Sequence, residues 1–214
     1  MKYLSIDIET TGLRREKDQI LEVAGILADT SSNELVDTLP AFHARLYYDQ
    51  VVGQPYALQL NSKLLLDMAN RPNCYQWSSP DMLGGLLYEW LERHKAWDSK
   101  GKITLAGKNA GTFDLPFLQH LPNWDRYMWE RIHHRVIDPA MYYWHQETDE
   151  MLPDTKTCIT RAGIAWDHSR LHWAKEDAQL VVELIRRGPI YMHQRYGNYV
   201  DHINELARAE EIAK

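Results

Sequence analysis

Alternating apolar and polar positions mark the start of the chain as a β-strand. Along residues 3–9, Leu4, Ile6 and Ile8 fall on one face and the polar residues between them on the other, because side chains in a strand alternate with a period of two. Similar β-rich runs at residues 19–28 and 41–48 predict two more strands. The short connections between these three runs favour an antiparallel meander.

Helical spacing replaces this alternation further along the chain. Apolar residues that recur every three or four positions predict helices over residues 58–69, 80–97, 114–121, 139–146, 155–162, 174–187 and 199–213. Short apolar strands are predicted at residues 103–106 and 136–137, a loop at residues 71–80, and a helix end at Gly188-Pro189. Strands that come first and then alternate with helices predict a mixed α/β sheet covered by helices.

Composition narrows the class of protein. The chain has 214 residues, with 24 Lys and Arg against 30 Asp and Glu, a formal net charge of −6. This length favours a single domain over residues 1–214. The acidic balance argues against a protein that coats long nucleic acid, although it allows one that grips a short piece at a metal site. Two cysteines exclude a disulfide framework, and we expect a cytoplasmic protein without signal peptide or membrane span.

Asp7 and Glu9 are the first candidates for chemistry. They stand two apart on one face of the predicted first strand, so their carboxylates point the same way and repel each other. A divalent cation would relieve this repulsion, and hard oxygen ligands suit Mg²⁺ or Mn²⁺. A solvent-facing polar strand face would produce the same pattern.

A second candidate segment covers residues 109–116, between a predicted strand and a predicted helix. Asp114 stands at the start of that helix, where it would act either as the helix N-cap or as a metal ligand. Asn109 would either shape the turn or orient a phosphate or a carboxylate.

His172 and Asp177 form the third candidate pair. Five residues correspond to about 140° of rotation on a helix, so we expect His172 on the preceding loop or in the first turn and Asp177 on the helix. A loop histidine beside a helical metal ligand is a suitable base, although both residues would also suit a charged surface. The adjacent Glu176 is expected to be exposed.

Together, these three segments resemble the motifs of the DEDDh 3′–5′ exonucleases, the DnaQ-like branch of the ribonuclease H-like fold, which includes proofreading exonucleases, ribonuclease T and oligoribonuclease. The first motif is similar to Asp-Ile-Glu-Thr-Thr-Gly-Leu at residues 7–13, and the second to Asn-Ala-Gly-Thr-Phe-Asp at residues 109–114. The third is similar to His172 followed by Asp177. Their order and separation also match, although Lys108 stands where family members often carry His.

The resemblance implies a fold and a metal-dependent mechanism. The fold would be a ribonuclease H-like mixed five-stranded sheet flanked by helices, in a single exonuclease domain with a C-terminal helix. Two divalent cations, Mg²⁺ or Mn²⁺, would be held by Asp7, Glu9, Asp114 and Asp177. His172 would take the proton from the attacking water, so all five residues would be catalytic.

The resemblance also implies a substrate. Nucleoside 5′-monophosphates would be released one at a time from the 3′ end of single-stranded DNA or RNA or of a short oligonucleotide. The residues that would contact the terminal nucleotide are Thr10, Thr11, Gly12, Leu13, Asn109 and Phe113. Gly12 permits close backbone approach, whereas Phe113 would either stack on a base or belong to the core. No membrane partner is expected, and the sequence is compatible with a homodimer.

A second class of function is a nucleic-acid-binding or polymerase-associated module that keeps the exonuclease fold without significant catalysis. A pure binding module has no need of four acidic ligands and a base, so the complete set favours an enzyme. The choice between DNA and RNA depends on contacts to the 2′-hydroxyl, and no residue of the sequence can be identified as making one.

Overall fold

The structure, a computed structural model, describes residues 1–70, 77–165 and 173–212, with the backbone alone for residues 198–212. Within these residues, five strands form one mixed sheet in the order β4–β3–β2–β1–β5. Their bounds are β1 Lys2–Thr10, β2 Ile20–Asp29, β3 Ala41–Leu46, β4 Trp77–Ser78 and β5 Thr104–Ala106. The prediction of a mixed five-stranded sheet flanked by helices is confirmed.

Strand pairing gives the sheet two different halves. β1, β2 and β3 are antiparallel neighbours, as the predicted meander requires. β5 runs parallel to β1, with Tyr3 beside Thr104, and this pairing ends at Ser5. The predicted strand at residues 136–137 is only a single parallel bridge between Ala106 and Ile137. The C-terminal half of β1 therefore extends beyond β5.

Helices surround this sheet. Their bounds are α1 Pro55–Leu60, α2 Ser62–Asn70, α3 Leu83–Arg93, α4 Asp114–Gln119, α5 Trp124–Met128, α6 Ala140–Tyr143, α7 Thr155–Arg161 and α8 Ala174–Ile212. The main core joins β1, β2 and β3 to apolar residues of α3, α4 and α5. Burial of these apolar side chains is the chief source of stability of such a layered fold.

Two of the predicted helices need correction, and one helix was not predicted. The helix predicted over residues 58–69 is two helices, because the buried Asn61 leaves helical geometry and donates its side-chain amide to the carbonyl of Thr10. The helix predicted to reach Trp97 ends at Arg93, since Lys95 has a left-handed backbone with φ of 50°. The short helix α5 was not predicted, because it offers too few turns for a periodic signal.

The predicted helix end at Gly188-Pro189 is also wrong. α8 continues through both residues, with Pro189 in the helix interior. Gly188 serves packing instead, because a Cβ at this position would overlap the ring of Tyr142. Proline removes one backbone donor and strains the turn before it, but here the helix tolerates it.

The contacts along the chain divide it into two compact units. The first holds Met1–Asp138 together with α8 up to Val182, and the second runs from Pro139 and takes up α8 from Glu183. The sheet and all the candidate site residues that the structure describes belong to the first unit. Among the described residues, no helix is long and apolar enough to cross a membrane.

Candidate active site

The polar face of β1 brings three carboxylates together with the help of α8. Ser5 lies on the same face as Asp7 and Glu9, and its hydroxyl donates to the carbonyl of Ala178 at 2.7 Å. This bond holds the start of α8 against β1. Asp177 consequently meets the two strand carboxylates, and one oxygen from each of the three residues lies within 4.8 Å of the others. This is the pairing of a strand motif and a helix motif that the sequence predicted.

Asp114 contacts the backbone of the same strand. Its Oδ1 accepts the backbone N–H of Ile8 at 3.1 Å, and the residue is 3% exposed. It is the first residue of α4 but does not cap it, because the N-cap position belongs to Phe113. In the described part of the chain, Asp114 lies outside the 4.8 Å group. The N-cap interpretation is therefore replaced by a bond that ties α4 to β1.

Burial and mutual repulsion disturb the acidity of these groups. Burial, followed by the charges of Asp114, Asp177 and Glu9, raises the pKa of Asp7 well above its usual range. Burial and the charge of Asp177 raise the pKa of Glu9 to about 8, against a hydrogen bond from Asn61 that lowers it. Burial raises the pKa of Asp114 to about 7, although the N–H of Ile8 favours its charged form. Repelling carboxylates of this kind fit the needs of a hard divalent cation.

Glu22 is a fifth carboxylate beside the site, and it was not predicted from the sequence. It is 1% exposed and lies opposite Glu9 in the strand register. Its carboxylate accepts from Nε of Arg45 at 3.1 Å, lies 2.8 Å from Nε2 of His43, and accepts the backbone N–H of Ala174 at 3.2 Å. Glu22 therefore connects β3 to the first residue of α8. A lone charge inside the apolar run of β2 was the available signal.

Electrostatics distinguish Glu22 from the three converging carboxylates. Burial alone would raise its pKa, but the hydrogen bonds and charge of His43 and Arg45 outweigh burial and lower it. It is therefore an ionised carboxylate held by hydrogen bonds from Arg45, His43 and Ala174. Its negative charge still raises the pKa of both Asp7 and Glu9.

The turn after β1 is closed by its own hydrogen bonds. The hydroxyl of Thr10 donates to the carbonyl of Gly12 at 2.7 Å, and that of Thr11 donates to the carbonyl of Val52 at 2.6 Å. Thr11 Oγ1 also accepts the N–H of Gln19 at 2.7 Å. Both threonine side chains are buried. They shape the turn, and any contact with a ligand would come from their backbone or neighbours.

Gly12 is required by close packing within the same turn. A Cβ on Gly12 would overlap the Asp18 carboxylate and lie 2.7 Å from Nε2 of Gln54. Asp18 also accepts from the backbone and guanidinium of Arg14, which together with Gln54 lower its pKa to about 2. Leu13 is 75% exposed at the tip of the turn. Of the predicted contact residues on this turn, Leu13 has the side chain most accessible to a ligand.

The remaining predicted residues lie at the start of α4 or outside the described residues. Asn109 is exposed, has a left-handed φ of 59°, and donates its N–H to Asp138 at 2.9 Å. Asparagine favours this conformation, so its role in shaping the turn has structural support. Phe113 is half-buried against Phe117, with ring centroids 5.0 Å apart. His172 lies outside the described residues, so its role as a base stays a prediction.

Comparison with known proteins supports the fold. No protein-family model matches the sequence, and no curated protein matches it. A solved structure, described as that of a moderately thermophilic Exonuclease I from Methylocaldum szegediense, is similar with a TM-score of 0.59 at 16% identity. The match covers 92% of this chain and 43% of that protein, so this chain spans less than half its length. The chain has the α/β, ribonuclease H-like sheet of this exonuclease.

Proposed function

We propose that this chain is a metal-dependent 3′–5′ exonuclease that releases nucleoside 5′-monophosphates from single-stranded or short DNA or RNA. The observation that carries the proposal is the convergence of Asp7, Glu9 and Asp177 within 4.8 Å. These carboxylates occupy the strand and helix of a fold shared with a protein described as an Exonuclease I. A solvated polar strand face would not bury Glu9 or gather three repelling charges at one point.

The donor set fits divalent cations. Asp7, Glu9 and Asp177 supply carboxylate oxygens from two rigid elements, and Asp114 adds a fourth negative charge nearby. Two cations, Mg²⁺ or Mn²⁺, would suit these hard ligands. When bound, such ions lower the pKa of water and stabilise the attacking and leaving oxygens of a phosphodiester.

The chain's own residues would complete the site. His172 would hold the proton removed from the nucleophile. The N–H of Ile8 fixes the Asp114 carboxylate, and Ser5 holds the start of α8 in place through Ala178. Leu13, at the exposed tip of the turn, would border the terminal base. A cytoplasmic setting suits the buried thiol of Cys158, which forms no disulfide.

The test is release of mononucleotide from a labelled oligomer, with Mg²⁺ or Mn²⁺ and with chelator. Wild type should release nucleoside 5′-monophosphates from the 3′ end only when metal is present, and Asp7→Ala should abolish release. Glu176→Ala is the matched control, because it removes one carboxylate from the same turn of α8 as Asp177. If wild type binds the oligomer but never cleaves it with either metal, the chain is a binding module, such as a polymerase-associated subunit.

A further inference from the structure

A groove at the end of the sheet opposite the carboxylates combines positive charge with aromatic rings. This distal groove has a volume of about 510 Å³. Its lining residues are Tyr88, Lys100, Gly101, Lys102, Arg126, Tyr127, Trp129, Glu130 and Arg131. Four cations face one acid, a local excess of three positive charges in a chain of net charge −6. Within the described residues, none of the four cations forms an ion pair, so their charge is available to a ligand.

The groove is held in shape by its surroundings. The guanidinium of Arg131 lies over the rings of Tyr88 and Trp97, at 5.6 and 5.7 Å from their centroids. The Nε1 of Trp97 donates to Glu92 at 2.8 Å, which fixes that ring. Arg131 also donates to the carbonyl of Gly101. Its charge is therefore presented from a fixed position.

The loop that carries the two lysines is also ordered by hydrogen bonds. The carboxylate of Asp98 accepts the backbone N–H of Lys100 at 2.8 Å and of Lys102 at 2.9 Å. Its second oxygen lies 2.8 Å from Nε2 of His133. The two oxygens of Asp98 are thus occupied by the loop and by His133. Lys100 and Lys102 project from a defined turn into the groove.

One large ring in the groove is open to solvent. Trp129 is 62% exposed, and the neighbouring Arg126 is exposed with its guanidinium 5.5 Å from the centroid of Tyr127. Cationic side chains bind the phosphates of a nucleic acid, and its unpaired bases stack on aromatic rings and on guanidinium planes. An acidic protein segment would use the cations but would have no need of the exposed indole.

We propose that the distal groove binds a single-stranded nucleic acid, with Lys100, Lys102, Arg126 and Arg131 on the phosphates and Trp129 stacked on a base. This inference rests on the proposed function in one respect: the bound strand is the part of the substrate 5′ to the end that is cleaved. Binding itself needs no metal.

The sheet register separates the groove from the carboxylates. Because Tyr3 pairs with Thr104, Asp7 lies about six residues beyond the level of Lys102, or about 20 Å along the strand at 3.3 Å per residue. The groove helices α3 and α5 pack on the apolar face of β1, whereas Asp7 lies on the face that meets α8, so the path over the surface is longer than this. A strand stacked at 3.4 Å per nucleotide therefore needs more than about six nucleotides to cover it. A dinucleotide cannot reach both places, whereas a 20-mer can. The groove should therefore act on long substrates only.

The first test measures binding in chelator, where no cleavage occurs. Fluorescence anisotropy with labelled single-stranded DNA and RNA 20-mers compares wild type with Arg126→Glu and with Lys156→Glu. Both variants change the charge by −2 at an exposed position of a short helix, but Lys156 lies in α7, outside the groove. Arg126→Glu should raise Kd about tenfold or more and reduce the slope of log Kd against log salt by at least about 0.7. Lys100→Glu, which changes the loop and not α5, should raise Kd and reduce the salt slope in the same way.

Trp129 separates nucleic acid from a merely anionic ligand. Trp129→Ala should raise Kd about tenfold, as loss of one stacked base predicts, and Trp129→Phe should restore most of the affinity. Equal Kd values for Arg126→Glu and Lys156→Glu, or no binding by wild type, would overturn the proposal. The proposal would also be overturned if Trp129→Ala left Kd unchanged and poly-glutamate of equal charge displaced the labelled oligomer. That result would indicate an acidic protein partner instead.

The second test distinguishes failure of the groove from failure of the proposed function. Arg126→Glu should raise KM for a 20-mer about tenfold while leaving kcat, and all constants for a dinucleotide, unchanged. If wild type binds through the groove but cleaves nothing, the exonuclease proposal fails and the groove stands. If wild type cleaves and Arg126→Glu leaves KM for the 20-mer unchanged, the groove proposal fails alone.

Discussion

The two ends of the β1–β5 pair carry opposite chemistry. At the end beyond Ser5, the buried Glu9 and the half-buried Asp7 and Asp177 repel one another, and the pKa values of Asp7 and Glu9 rise. At the other end, the lysines and arginines of the distal groove lie near the surface around an exposed indole. A net charge of −6 describes neither region. Buried charge of one sign suits a small, strongly bound cation, whereas exposed charge of the other sign suits a long polyanion held by many weak contacts.

The largest expected difference between the two ends is in the chemical step. His172→Ala should lower kcat by about 10²- to 10⁴-fold, because it would remove the proposed base, while Mg²⁺ or Mn²⁺ binding measured by calorimetry stays intact. The groove variant Arg126→Glu should leave kcat unchanged on a dinucleotide. Loss of metal binding in His172→Ala would assign this histidine to the metal ligands instead.

The next effect concerns stability and pH in the metal-free protein. Folding raises the pKa of Glu9 from 4.5 to about 8, so the folded chain holds this proton more tightly than the unfolded chain. Stability from this group is therefore present below about pH 4.5 and is lost as pH rises through 8. Glu9→Gln should be more stable than wild type in chelator at pH 8, by an amount on the order of a few kcal/mol.

Urea unfolding at pH 5 and pH 8 measures this difference. Adding Mg²⁺ at pH 8 should stabilise wild type more than Glu9→Gln. The matched control is Glu130→Gln, which removes the same charge from an exposed position in the distal groove. An equal gain in both variants would show that overall charge, and not the carboxylate cluster, sets the pH dependence.

A smaller effect is expected from Glu22, which contacts α8 without belonging to the converging carboxylates. Glu22→Gln should weaken Mg²⁺ or Mn²⁺ binding by about 10- to 100-fold, as loss of a supporting partner of a metal ligand does. The cause would be a loosened bond to the N–H of Ala174, three residues before Asp177. Calorimetric titration tests this, with Glu89→Gln on α3 as control. An unchanged affinity would limit Glu22 to packing.

The smallest predicted effect is on stability. It concerns two loops that are each ordered by an aspartate, Asp18 beside the carboxylates and Asp98 beside the distal groove. Asp18, buried in the turn after β1, has its pKa lowered to about 2 by Arg14 and Gln54. Its stabilisation is present above about pH 4 and is lost as pH falls through 2. Asp18→Asn should cost about 1 kcal/mol at pH 7, and Asp98→Asn less, because Asp98 is exposed. Thermal unfolding at pH 7 and pH 3 measures the loss of stability in both variants. A larger loss for Asp98→Asn than for Asp18→Asn would contradict this order.

Much of the fold could be predicted from local pattern. The alternation along β1 and the helical spacing after Ala174 follow from side-chain periodicity, and both elements were placed within two residues at their starts. The breaks at Asn61 and Lys95 could not be predicted, because each depends on a bond or a backbone angle that forms only in the folded chain. Continuation of α8 through Pro189 could not be predicted either, because proline is normally disfavoured in a helix interior.

The candidate site shows the same division. Asp7, Glu9 and Asp177 were predicted together through their motifs, and the structure brings them within 4.8 Å. Glu22 was missed because its role depends on the register with β3 and on a bond to Ala174, far along the chain. The distal groove was missed because its cations are spread along residues 100–131 and form no charged run.

The turn that follows β1 has a consequence for selectivity. Thr11 is hydrogen-bonded to Gln19, Val52 and Gln54. Gly12 lies so close to Asp18 and Gln54 that there is no room for a Cβ. A turn fixed in this way is preorganised, so little binding free energy goes into ordering it. If the turn borders the terminal nucleotide as we propose, it would not reshape itself around a nucleotide of the wrong form. Whatever occupies this place must fit the turn as it stands, so discrimination here would work through steric exclusion.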